Sequence, residues 1–122
     1  MRSTRPAEAV AELGTLADFM NVELRIGGVS AAAETTRKRL PFATIEGDDI
    51  VLQSALPAEA SLNEHLVWLW GLLQHERRYL KGLAGRGASI IVRVRGVRQR
   101  VEVKPNGAEM LHLLGATLVI DR

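Results

Sequence analysis

Apolar and polar positions alternate along this chain with two periods, and the switches between them mark its elements. Val22-Glu23-Leu24-Arg25-Ile26 alternates strictly before Gly27-Gly28, the pattern of a half-buried strand with Val22, Leu24 and Ile26 inward. Ser30 suits an N-cap, and residues 31–40 form a short helical pattern that Pro41 must stop. Residues 42–53 predict one or two strands broken near Glu46-Gly47-Asp48-Asp49, with Ile50 and Leu52 on one face and Val51 and Gln53 on the other. Ser61-Leu62-Asn63-Glu64 is a capping box, and the helix it opens is expected to run to about Leu83 or Ala84. Leu62, Leu66, Leu69, Trp70, Leu73 and Leu80 fall on one stripe of that helix. Its charges run from Glu64 to Arg77, Arg78 and Lys81, an order that suits the dipole of one long helix.

Past the helix the period returns to two. Residues 89–95 alternate apolar and basic, Gly96-Val97 suits a two-residue turn, and residues 98–104 alternate back. Such a hairpin would set Arg93 opposite Arg100 and Arg95 opposite Arg98 on one face, with Ile90, Val92, Val94, Val101 and Val103 on the other. Residues 108–114 then predict a last short helix, ended by Gly115, and residues 117–121 a closing strand with Leu118 and Ile120 inward. Residues 1–20 are the least patterned stretch, and Ala7, Val10, Leu13 and Leu16 allow a helix there. The order from Val22 is β-α-β-α-β-β-α-β. The expected fold is one α+β domain spanning 1–122, with a mainly antiparallel sheet of about five strands and helices packed on one face.

From about residue 22 to the end, the chain resembles a family of small bacterial proteins catalogued as domain of unknown function 4279. The resemblance rests on Leu24-Arg25-Ile26-Gly27-Gly28-Val29-Ser30, on Ser61-Leu62-Asn63-Glu64-His65-Leu66, on the alternating segment 89–104, and on the stretch from Ala108 to Asp121. It implies the same architecture and a bacterial source. It brings no activity and no catalytic residue.

Composition narrows the chemistry. An apolar fraction of 47% and a charged fraction of 25% are those of an ordinary globular domain. With no cysteine, disulfides, thiolate metal sites and a cysteine nucleophile are excluded. No apolar run approaches a membrane span, and the opening residues, with Glu8 and Glu12, do not form a signal-peptide core, so a cytoplasmic location is expected. The net charge of +2 is uneven, because residues 86–104 carry six basic side chains against one acidic.

That excess makes Arg93, Arg95, Arg98 and Arg100 the candidate site for an anionic partner. The competing reading is a solvated sheet face in which Glu23, Glu102 and Asp121 balance the arginines. Trp68, Leu72 and Tyr79 form a second apolar stripe on the long helix and are the candidate interface, either with another protein or in a homodimer. His65 and His75 lie about 15 Å apart along a helix, too far to share an ion. Gly27-Gly28 and Gly85-Arg86-Gly87 are turn and helix-stop signals before they are phosphate cradles. No triad, metal cluster or cofactor loop is visible, so no catalytic residue, cofactor or metal is assigned. The expectation is a non-enzymatic protein-binding domain, accessory or immunity-like. Nucleic-acid or small-anion binding through the same four arginines is the alternative, and an enzyme comes third.

Overall fold

The computed structural model describes residues 20–97 and 100–121. The expected helix near the N-terminus and Arg98 lie outside the described residues. Strand β1 (Asn21–Gly27) is followed by a 3-10 turn (Ser30–Ala32) and helix α1 (Ala33–Arg39). Strands β2 (Thr44–Glu46) and β3 (Asp49–Gln53) come next, then helix α2 (Leu62–Leu73), a 3-10 turn (Gln74–Glu76) and helix α3 (Arg77–Gly85). Strand β4 (Ser89–Arg95), helix α4 (Pro105–Leu114) and strand β5 (Thr117–Ile120) complete the order. The sheet runs β2-β3-β1-β4-β5, antiparallel except for the parallel pair β4–β5. This is the expected α+β fold with five strands.

The hairpin over residues 89–104 is replaced by a different pairing. β4 is matched along all seven residues by β1, from Asn21 opposite Arg95 to Gly27 opposite Ser89, and its other edge carries β5. Both edges are thus occupied, and residues 100–104 form no strand. The element order is therefore β-α-β-β-α-α-β-α-β, the tight hairpin being β2–β3 around Gly47-Asp48. The electrostatic reason is plain: the hairpin would oppose Arg93 to Arg100, whereas β1 sets Glu23 opposite Arg93. Val97 is buried in the core instead of capping a turn.

Two helical expectations also change. Ser30 makes no cap bond; it opens the 3-10 turn that leads into α1. The long helix is interrupted at Gln74–Glu76 by a 3-10 turn, where Glu76 leaves helical geometry at φ −107° and ψ 11° while Leu73 stays in the α region. The capping box at its start is present: Ser61 Oγ accepts from the Glu64 N–H at 3.1 Å, and Glu64 Oε1 accepts from the Ser61 N–H at 2.8 Å. The Ser61 N–H bond first, with the Ser61 hydroxyl second, holds the Glu64 carboxyl below its ordinary range.

One sheet face carries the core. Leu24, Ile26, Leu52 and Val92 meet Leu62, Leu66, Leu69 and Leu73 of α2, with Leu80 of α3 and Met110 and Leu114 of α4. Each fully buried Leu of this kind stabilises the fold by about 1.5–3 kcal/mol. A polar joint docks α4 on α2. Asn63 Oδ1 accepts the N–H of Lys104, the residue that precedes α4, at 2.9 Å, while Asn63 Nδ2 donates to Asn106 Oδ1 at 2.9 Å. Gly107 sits against this joint, with no room for a side chain.

Candidate functional site

The sheet face opposite the core is a mosaic of charge set by the strand register. Arg25 lies at its centre. Its Nη1 donates to Asp49 Oδ2 at 2.8 Å, its Nη2 to Glu46 Oε1 at 2.9 Å and its Nε to Glu23 Oε2 at 3.1 Å. These bonds, Asp49 first, raise the Arg25 pKa further, so the guanidinium is permanently charged. Arg93 Nε lies 3.3 Å from Asp121 Oδ2, and Arg95 lies 3.9 Å from both Glu23 and Asp121. Three arginines on this face thus meet four carboxylates, and of the basic residues in 86–104 Arg93 and Arg95 are balanced across strands.

The candidate arginines do not form one constellation. Arg93 and Arg95 belong to the balanced mosaic. Arg100 lines a different cavity, of about 390 Å³, near the start of α2, whose lining also includes Lys104, Glu59 and Glu102. The capping box already serves the helix terminus there. Trp68, Leu72 and Tyr79 are half-buried and packed against the core. Tyr79 is tied to α1: its hydroxyl pairs with Thr36 Oγ1 at 2.7 Å, and Arg39 stacks 4.3 Å over its ring while holding Glu76 at 2.7 Å.

Two features carry no clear signal in the sequence. The first is Phe42, whose side chain is 77% exposed and whose φ is +62°, the one non-glycine residue at positive φ among the described residues. It stands beside β2, which has a partner on one edge only among the described residues and where Ile45 is 40% exposed. Phe42 walls a cleft of about 390 Å³ on the open sheet face, floored by Val51 and rimmed by Thr44, Gln53, Glu23 and Arg95. The second is α3. Arg77, Arg78, Lys81 and Arg86 are exposed, and none pairs with a described carboxylate.

His65 is buried, and its Nδ1 lies 2.6 Å from Ser54 Oγ, which also accepts the Leu56 N–H at 3.3 Å. The ring tautomer sets which of the two donates in this bond, since the hydroxyl has a second lone pair free to accept, and Nε2 has no hydrogen-bond partner among the described residues. No carboxylate orients the ring, so this pair lacks the third member of a nucleophile triad. Burial pushes the His65 pKa below its ordinary 6.5. The unfolded chain then binds a proton more readily than the folded one, and stability is complete above that value and declines as pH falls through it. We expect the urea midpoint to drop between pH 7.5 and pH 5.5, and to drop less in His65→Gln. Equal pH dependence in both proteins would show that the ring does not resist protonation.

Among the described residues no group of three or more His, Cys, Asp or Glu side chains could hold a metal ion, and no helix is long and apolar enough to cross a membrane. Fold and surfaces together define a small α+β domain with a self-neutralised sheet face, an exposed aromatic beside a sheet edge and a basic helix. No family model, no curated protein and no solved structure matches the chain.

Proposed function

We propose that the chain is a non-enzymatic protein-binding domain, an accessory protein of the bacterial cytoplasm, that receives an extended segment of its partner along β2. Kinship with domain of unknown function 4279 is part of the same proposal. The observation that carries it is Phe42, an aromatic displayed in left-handed backbone next to an edge strand. Holding a non-glycine residue there costs about 1–2 kcal/mol, and the exposed ring makes no compensating core contact. Strain of this kind gathers at binding sites. An added strand would take its affinity from main-chain hydrogen bonds and its specificity from alternate side chains. One such side chain would enter the cleft over Val51, beside Phe42 and within reach of Glu23 and Arg95.

The sequence alternative, nucleic acid or a small anion on the four arginines, loses support because Arg93 and Arg95 are matched by Glu23 and Asp121. A selection from a displayed library of random peptides tests the main reading. Wild type is expected to enrich extended, apolar-anchored sequences, and Phe42→Gly to enrich none. Equal enrichment by both proteins would place recognition away from this edge.

A further inference from the structure

Helix α3 carries a charge pattern that serves the fold poorly. Arg77 and Lys81 are neighbours on one helix row, where like charges repel. Arg77 and Arg78 occupy the first turn of α3, the end at which the helix dipole disfavours cations. Gly82 and Gly85 add a further cost within the same nine residues. Arg86 folds back along the helix, with its Nη1 3.6 Å from where a Gly82 Cβ would stand. The exposed residues of α3 are therefore three cations and Gly85, with Arg86 exposed just past its end and Arg39 alongside through Glu76.

We infer that this face binds the phosphodiester backbone of a nucleic-acid duplex, at a site separate from the β2 edge. Three features select that ligand. Among the described residues the exposed large apolar ones are Phe42, Ile45 and Val67, and none belongs to α3, so the face lacks the desolvated apolar centre of a protein interface. The same absence argues against insertion into a lipid surface. No exposed aromatic stands on α3, since the Tyr79 ring is covered by Arg39, and single-strand binding relies on such stacking platforms. The glycines allow a bulky polyanion to approach the helix, and both Arg and Lys are suited to phosphate. Contacts of this type position a protein without reading sequence.

The test is fluorescence anisotropy with a labelled 20-base-pair DNA duplex, its RNA counterpart and the single strand, across a salt series. Both duplexes are expected to bind within about threefold of each other, with a log–log salt slope of about −3, as three to four neutralised phosphates require. The triple variant R77Q/R78Q/K81Q should lose at least about tenfold in affinity and flatten the slope by about two or more. Lys81→Glu supplies a fold control: it places a carboxylate beside Arg77, so it should melt no lower than wild type while binding more weakly. Four results would each overturn the inference: no duplex binding at about 50 mM salt, binding unchanged in the triple variant, preference for the single strand, or equally tight binding to polyglutamate. The last would assign the face to an acidic protein.

Discussion

Gly107→Ala is expected to destabilise the protein by about 2 kcal/mol, the range of core overpacking, while Gly71→Ala stabilises it by roughly 0.5–1 kcal/mol, the helix propensity gain. The same substitution takes opposite signs because of what a new methyl meets. At Gly107, in the first turn of α4, a Cβ would be driven into Asn63 Oδ1 and come within 3.1 Å of Leu66 Cδ1. Asn63 cannot retreat freely, because its Oδ1 accepts the Lys104 N–H and its Nδ2 holds Asn106. Moving it leaves a buried polar group without its partner, at a cost of about 1–3 kcal/mol. At Gly71, on the outer face of α2, nothing lies within 4 Å. Urea denaturation of the two variants decides the point. A stabilised Gly107→Ala would mean that α4 does not dock on α2 through Asn63.

Arg25→Met should cost about 2–3 kcal/mol at neutral pH, the low end for breaking a buried ion pair, because the arginine side chain is 26% exposed. The substitution keeps the packing of the stem and removes the charge that three carboxylates share. Glu23 is 5% exposed and would keep only Arg95, at 3.9 Å. Glu46 and Asp49 would face each other with no cation between them. Arg37→Met offers the contrast. Arg37 is paired with Glu34 one helical turn away at the surface, and exposed pairs add little. Its urea midpoint should stay at the wild-type value. If Arg25→Met also left the midpoint unmoved, the sheet-face charges would be decoration on a fold that does not need them.

Local pattern carried much of this architecture. Val22, Leu24 and Ile26 announced β1 and its inner face. Ile50 and Leu52 did the same for β3, Ser61 with Glu64 opened α2, and Gly115, at φ +67°, closed α4. What the pattern could not supply was the choice of partner strand. Gly96-Val97 between two alternating runs is a good hairpin signal, and Gly96 does adopt positive φ, at +79°. Pairing energy overrides it, because β1 offers seven residues and a carboxylate for Arg93, whereas the neighbouring segment offers another arginine. Strand choice depends on contacts about seventy residues apart in the chain, and no local period reports them.

The surfaces were harder to see for the same reason. Arg93 and Arg95 looked unmatched only because Glu23 and Asp121 are distant in sequence. Arg77, Arg78 and Lys81 looked matched to a dipole only because the apolar stripe runs on through Gln74–Glu76, where a 3-10 turn interrupts the helix. Phe42 gives no warning at all, since positive φ is foreseeable at a glycine and not at a phenylalanine. Pro41 marks the end of α1, and the turn that follows it is where the strain is placed.

The claim that Phe42 serves a partner and not the fold is tested most directly by calorimetric melting of Phe42→Gly. Glycine accepts φ +62° without penalty and sacrifices little buried surface, though it frees the unfolded chain, so a net gain of about 0.5–1 kcal/mol is expected. For a domain of this size that is a melting temperature about 2–4 °C above wild type. A variant that melts below wild type would contradict the account, because Phe42 would then be holding the fold together and the β2 edge would have no displayed anchor to offer.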